Sequence, residues 1–270
     1  MAESRHTHHG HHGHHHHGHH GHGNGAPTLA ETNQEYWNSA ADTVFEPHWV
    51  KDMHAQIEKH VKANLPWMGI DPDDKSTEGK KMLDYACGEG FLSRLLSPYF
   101  AKCVGMDIAE AMVSRYNKTA REKGFSEGQM HAVQGDLTSI ETREVLNSEE
   151  YFNFDLIVIS MALHHLEDAQ LAVNKLVERL KPGTGVLVVI DWEAKKNMGE
   201  EQNGDWIDKG HAAQHTVAHA GFEEGQFREM VDKAGCDEAG YILFSDKTAI
   251  PMAKSGFMQL FSGKGKKKAE

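Results

Sequence analysis

Met82-Leu83-Asp84-Tyr85-Ala86-Cys87-Gly88-Glu89-Gly90-Phe91-Leu92 runs from a short apolar segment ending in an acid, through a turn of small residues, into a helix-like pattern. A strand ending in such a turn lets the backbone approach a ligand closely. The first N–H groups of the following helix then face a carboxylate or other anion. Short glycine patterns are common, so the weight comes from three more strands that succeed this one in order. Lys102-Cys103-Val104-Gly105-Met106-Asp107 is a second strand ending in an acid, and Asp107 lies 23 positions after Asp84. In a doubly wound sheet an acid at that place accepts hydrogen bonds from ribose hydroxyls. His131-Ala132-Val133-Gln134-Gly135-Asp136-Leu137 is a third strand with an acid at its tip. Phe154 to Ser160 is a fourth, continuing into Met161-Ala162-Leu163-His164-His165-Leu166.

Across the chain, strands are expected near 81–86, 102–106, 129–134, 154–160 and 184–191, and helices near 91–98, 109–123, 141–147 and 168–181. That alternation predicts a parallel sheet covered on both faces. Lys181-Pro182-Gly183-Thr184-Gly185 reads as a helix stop before the fifth strand. Residues 222–235 look helical, and Tyr241–Phe244 with Phe257–Phe261 look like a closing antiparallel pair. Upstream, Thr32-Asn33-Gln34-Glu35 reads as a helix cap and first turn leading to Tyr36-Trp37. Trp49, Met53, Ile57, Val61 and Leu65 then repeat at a four-residue spacing that suits an amphipathic helix, stopped by Pro66.

With these motifs in order, the chain resembles the class I S-adenosylmethionine-dependent methyltransferases over roughly residues 33–262. It is similar to the small-molecule type, in the manner of the ubiquinone/menaquinone-biosynthesis-like group; a fungal regulatory member is the variant kept beside it. Leu83 to Gly90 looks like the first motif, Asp107 like the acid of the second, and Gly135-Asp136-Leu137 like the third. Ala86 stands where many members have Gly. The resemblance implies an α/β, doubly wound, Rossmann-like fold. Its seven-stranded sheet would be mostly parallel, with an antiparallel last strand and an N-terminal helical cap. It also implies S-adenosyl-L-methionine as cofactor. Ala86, Gly88 and Gly90 would let the backbone reach its amino-acid end, and Asp84 would orient that loop or approach the ammonium. Asp107 would take the ribose hydroxyls and Asp136 the adenine amine, with Ile108, Leu137 and Ser160 beside them. Each acid also has a plainer reading as a turn or helix cap. A dehydrogenase-type dinucleotide site would want G-x-G-x-x-G, which Ala86 to Leu92 does not supply.

For the acceptor side, Tyr36 and Trp37 would cover the donor or line the substrate entrance, unless they simply pack on the sheet. The insertion over 192–221 is the expected substrate cover. His211, His215 and His219 fall at i, i+4, i+8, one face if helical. A zinc site needs further ligands, and no H-E-x-x-H pattern is present, so His215 and His219 are taken as substrate-lining candidates and no metal is assigned. Methyl transfer is an in-line displacement, and a base is needed only if the acceptor loses a proton. His164 and His165 are the candidates for that, with loop packing or donor contact as the alternative. No Asn-Pro-Pro-Tyr-like motif follows the fourth strand, so an amino-purine or glutamine-type acceptor is not suggested.

Composition sets the remaining bounds. The 270 residues suit one α/β domain with additions. A formal charge of -12, from 40 acidic and 28 basic residues, argues against general nucleic-acid binding. The three cysteines, Cys87, Cys103 and Cys236, have no C-x-x-C spacing and fit a reduced compartment. No apolar stretch is long enough for a membrane span, and no signal-peptide core is seen, so a cytoplasmic location, with the nucleus as an addition, is expected. Residues 1–28 carry twelve histidines between His6 and His22 and are expected to be a disordered tail whose imidazoles ligate Zn, Cu or Ni. A cap is expected over 29–75, the methyltransferase domain over 76–262, and a solvated basic tail over 263–270. A small-molecule acceptor at O, N or C is the leading reading. A regulatory subunit working with a protein partner, and a metal-binding protein with a vestigial domain, are the alternatives.

Overall fold

Met82 and Leu83 are adjacent in sequence, yet each anchors a different half of the core. A strand sends alternate side chains to opposite faces, and here both faces are covered. Met82, Cys103, Val158 and Val188 pack with one set of helices, while Leu83, Val104, Ile157 and Leu187 pack with another. The computed structural model describes residues 26–74, 76–139, 144–194, 213–251, 253 and 255–269.

The sheet contains β1 (Lys81–Tyr85), β2 (Lys102–Asp107), β3 (Met130–Gln134), β4 (Leu156–Ser160) and β5 (Val186–Trp192), all parallel. Two more strands complete it, β6 (Cys236–Leu243) and β9 (Leu260–Lys267), in the order β3-β2-β1-β4-β5-β9-β6. β9 is antiparallel to both neighbours. The seven-stranded Rossmann-like fold is therefore the one expected. The order reverses between β1 and β4, the crevice where such sheets bind ligands.

On one face lie α2 (His48–Ala63), α3 (Phe91–Leu96) and α4 (Glu110–Glu122). α2 turns Val50, Met53, Ile57 and Val61 inward, close to the expected spacing. On the other lie α5 (Ala169–Glu178) and α6 (Glu224–Lys233). The first helix, α1 (Leu29–Ala40), starts a turn earlier than expected. Thr28, not Thr32, forms the capping box, its hydroxyl accepting the Glu31 N–H while the Glu31 carboxylate accepts the Thr28 N–H.

Three further expectations change. Glu144–Asn147 is a 3-10 turn rather than part of a helix from 141, whose first residues lie outside those described. Phe257–Met258 leaves the main sheet and pairs as β8 with β7 (Thr248–Ala249); only Leu260 and Phe261 continue into the closing pair. Of the segment read as a solvated basic tail, residues 263–267 are part of β9, between β5 and β6. The glycines of Gly263-Lys264-Gly265-Lys266 are buried, and the lysines between them are half-buried. Lys264 sits over the Trp67 ring and Lys266 meets Glu238 at 3.0 Å. A Cβ at Gly263 would stand 2.4 Å from the Phe227 ring, so glycine is what lets α6 approach this strand.

Among the described residues no helix is long and apolar enough to cross a membrane. The histidine tract lies outside the described residues, as do His211 and most of the 192–221 insertion.

Candidate active site

A cavity of about 1030 Å³ opens at the carboxyl ends of the parallel strands, walled by residues that end β1, β2, β4 and β5. The turn after β1 forms its floor. Ala86, Gly88 and Gly90 all have positive φ, 55°, 50° and 80°. Ala86 thus adopts the left-handed conformation that glycine would take without strain. The loop is fixed by acids behind it. Asp107 accepts the N–H of Gly88 through one oxygen and that of Ala109 through the other, both at 2.9 Å. Asp84 accepts the N–H and hydroxyl of Ser93 in α3 at 3.0 and 2.8 Å. Asp84 thereby ties the end of β1 to α3.

Burial pushes the Asp84 carboxyl up to about 7, against the two Ser93 bonds. Burial also pushes Asp107 up to about 6, against the Ala109 and Gly88 N–H groups. Both protonate more easily than ordinary carboxylates and gain from a cation or hydroxyl donors placed beside them. Asp136 accepts from the Tyr85 hydroxyl at 3.2 Å and from the Thr138 N–H and hydroxyl at 2.8 and 2.7 Å, all on Oδ1. Ile108 and Ser160 also line the cavity, whereas Leu137 is buried behind it, its N–H bonded to the Tyr85 hydroxyl. Cys87 is a packing residue. Its thiol is held well above the ordinary value by burial first, then by Asp107 and Asp84.

Another wall of the cavity is built on the 3-10 turn Leu163–His165 that follows β4. The two histidines differ. His165 Nδ1 lies 2.9 Å from the Thr216 carbonyl, and burial, then the neighbouring His164, holds its basicity well below the usual imidazole value. His164 Nδ1 lies 2.7 Å from Oδ1 of Asp191, a fully buried residue of β5 whose Oδ2 accepts the His164 N–H at 3.1 Å. Sequence reasoning did not single out Asp191. The available signal was an acid near the end of β5, the same place that marks Asp84, Asp107 and Asp136 on their strands.

The cover comes from α1 and the chain after it. Asn33 is buried and donates its amide to the carbonyls of His165 and Thr216 at 3.3 and 3.2 Å, while its own carbonyl accepts from Trp37 Nε1 at 3.1 Å. Trp37 meets His165 edge-on and Tyr36 meets His215 edge-on. Both aromatic residues line the cavity. His215 and His219 do not. His215 stands behind Tyr36 in a 3-10 turn at 214–216, and His219 packs near Phe222 with its N–H bonded to the His164 carbonyl. The intervening chain is not helical, so the two share no helix face. No cluster of metal-ligating side chains occurs among the described residues. Two cover residues also escaped the sequence reading: Phe45, whose ring a Cβ at Gly88 would approach to 3.1 Å, and His54, stacked on Phe91.

Comparison with known proteins gives a consistent picture. A methyltransferase-domain family model matches residues 76–235. An uncharacterised methyltransferase of Schizosaccharomyces pombe is 38% identical over 115 residues, covering 42% of this chain and 39% of that protein. A ubiquinone biosynthesis O-methyltransferase of Idiomarina loihiensis is 31% identical over 167 residues, 59% of this chain and 63% of its own length. The match thus spans less than two thirds of either relative. The structure of magnesium protoporphyrin IX methyltransferase from Synechocystis PCC 6803 with bound SAM superposes with a TM-score of 0.61 at 17% identity, covering 89% of this chain and 99% of that one. That likeness concerns the fold.

Proposed function

The chain belongs to the methyltransferase-domain family, and on that basis we propose that it is an S-adenosylmethionine-dependent methyltransferase acting on a small molecule at oxygen, nitrogen or carbon. The observation that carries the reading is the pairing of a positive-φ turn, Ala86 to Gly90, with the Asp107 carboxylate on the wall of one cavity. The residues fit the cofactor. The space above Gly88 would be lost to a Cβ, and Asp84, Asp107 and Asp136 put three carboxylates at successive strand ends. Such a wall favours a cationic ligand with hydroxyl and amine donors. When bound, S-adenosylmethionine supplies a methyl group on a sulfonium, activated for displacement.

The chain's own residues then have separable tasks. Gly88 opens the floor, whereas Gly90, which does not line the cavity, lets the turn pack on the Tyr116 ring; Asp84 holds α3 against the loop, Asp107 accepts hydroxyls and Asp136 an amine. Tyr36 and Trp37 close the cavity and hold an acceptor in line, where much of the rate enhancement arises. Of the two histidines, the base role falls to His164, whose Nδ1 meets the Asp191 carboxylate, while burial holds the basicity of His165 well below the usual imidazole value. The name of the Idiomarina relative favours oxygen as the accepting atom.

Calorimetric titration of the full chain with S-adenosylmethionine tests the reading. One donor bound per chain in the micromolar range is expected. A folded chain that binds none overturns it and favours a regulatory subunit whose site a protein partner completes.

A further inference from the structure

We propose that Asp191 is a positioning residue that fixes His164 as the base for an acceptor hydroxyl, and that the acceptor is a hydroxylated aromatic small molecule; this deepens the methyltransferase reading and rests on it.

The geometry begins with a carboxylate in an unfavourable place. Asp191 is fully buried in β5, and isolated charge there is costly. Its oxygens take three hydrogen bonds, from the Trp192 N–H at 2.7 Å, the His164 N–H at 3.1 Å and His164 Nδ1 at 2.7 Å. The last is a short bond that sets the tautomer. A carboxylate can only accept, so Nδ1 carries the hydrogen and Nε2 keeps its lone pair. His164 lines the cavity, and with Nδ1 taken up by Asp191 the ring nitrogen left for a ligand there is Nε2. Bonding the backbone N–H and ring of one residue to one carboxylate fixes the imidazole in position as well as tautomer.

His165 makes the contrast. Its Nδ1 meets a neutral carbonyl and the Thr216 hydroxyl at 2.9 and 3.1 Å, and among the described residues no acid is bonded to its ring to stabilise an imidazolium. The groups facing the His164–Asp191 pair are His165 on the same turn, with ring centroids 4.1 Å apart, and Tyr241 of β6, which feels the Asp191 charge. Tyr36 of α1 and the carboxylates of Asp84, Asp107 and Asp136 share the cavity.

A base so placed serves an acceptor with a proton to lose. The walls indicate the rest of that molecule: Trp37, Phe45, Trp49, Phe91, Met161 and Trp192 offer flat or pliant apolar surface, which suits an aromatic ring. In the step, the acceptor O–H bond breaks and its proton goes to His164 Nε2. The oxygen pair forms the new O–CH₃ bond, and the C–S pair returns to sulfur, leaving a neutral thioether. The imidazolium, paired with Asp191, then sheds its proton to solvent.

Two measurements test this. In the full chain labelled with 15N-histidine, two-bond proton–nitrogen correlation reads the ring tautomer, His164 being identified by its loss in His164→Gln. Nδ1–H with bare Nε2 is expected in wild type and a mixture in Asp191→Asn; Nε2–H in wild type overturns the positioning role. This needs neither donor nor turnover, and stands even if Asp191→Asn fails to fold. Turnover is then compared for catechol and for 4-nitrocatechol, whose hydroxyl ionises near neutral pH. Asp191→Asn is expected to lower kcat for catechol about 100-fold, in the range of general-base effects, with little change in KM. Activity should return as pH is raised towards catechol ionisation, and 4-nitrocatechol turnover should stay close to wild type. Equal losses on both probes, unmoved by pH, overturn the base and leave a structural role. No turnover of either probe by protein that binds the donor overturns the hydroxyaryl assignment. Failure to bind the donor counts against the methyltransferase reading itself, and the tautomer result still decides the role of Asp191.

Discussion

The Asp107 carboxylate and the Gly88 N–H, 2.9 Å apart, tie the end of β2 to the turn after β1. The other oxygen of Asp107 holds the Ala109 N–H at the start of α4. One acid thus sets the spacing between two loops that line the cavity. Asp107→Ala is expected to lower S-adenosylmethionine affinity about 100-fold, the loss of two charge-assisted hydrogen bonds of ~1.5 kcal/mol each. Calorimetry measures the affinity and far-ultraviolet circular dichroism checks the fold. A folded variant that binds as tightly as wild type removes the ribose assignment.

The same residue predicts opposite pH trends for binding and stability. Burial raises Asp107 from an ordinary 3.8 to about 6. Below that value the carboxylate is protonated and accepts hydroxyls poorly, so donor affinity should fall as pH drops through about 6. For the unliganded fold the sign reverses. Between 3.8 and about 6 the native state binds more of this proton than the unfolded chain, so the contribution is fully present below 3.8 and lost as pH rises through about 6. Buried His165 acts the other way, so the comparison must be with Asp107→Asn. Urea midpoints of wild type relative to Asp107→Asn should decline from about pH 4 to about pH 7. A flat difference would show that Asp107 is not desolvated.

The central strands were legible because their signals are local. In Met82 to Gly90 an apolar run, an acid and a small-residue turn succeed one another, and each constrains its own few residues. Asp191 was not legible as a partner of His164, since 27 positions separate them and only the β4–β5 pairing brings them together. His215 and His219 misled for the converse reason. Their spacing is regular, but the chain there folds as a 3-10 turn and loop.

In the lysine-rich end, composition hides a strand. Gly263-Lys264-Gly265-Lys266 has low strand propensity, and propensity yields to packing in an inner strand. Alternation was the available signal, with buried glycines facing α6 and half-buried lysines between them. Removing residues 263–270 is therefore expected to separate β6 from β5 and expose Phe227 and Phe261. Cooperative thermal unfolding should be lost and apolar dye binding should appear. A truncated chain melting as wild type would return this segment to the status of a tail.

Gly90 is fixed by the ring of Tyr116. A Cβ there would lie 2.5 Å from the ring, which is buried and also pressed by Gly105, and φ at Gly90 is 80°. Gly90→Ala should destabilise by roughly 2–5 kcal/mol, from left-handed strain plus overpacking. Tyr116→Leu should recover part of that loss in the double variant, and urea unfolding of the four proteins gives the coupling. Additive effects would mean that the turn, rather than the ring, sets the requirement.

Asn33 joins the cover to the turn at 163–165 through one side chain. Its amide reaches the carbonyls of Leu29, His165 and Thr216 at 3.0, 3.3 and 3.2 Å, and its carbonyl holds Trp37. Asn33→Ala leaves buried carbonyls and the Trp37 N–H unpaired, at about 1–3 kcal/mol for each group left unsatisfied. That cost falls on the docking of α1, whose main contacts are with α4 and the turn at 214–216, joined by those of Asn33 and Trp37 with His165. Amide hydrogen exchange in residues 29–40 should therefore accelerate while exchange in β1 and β4 stays unchanged, and acceptor KM should rise more than kcat falls. Uniform acceleration across the sheet would instead make Asn33 part of the global core, and the cover would lose its separate identity as a cooperative unit.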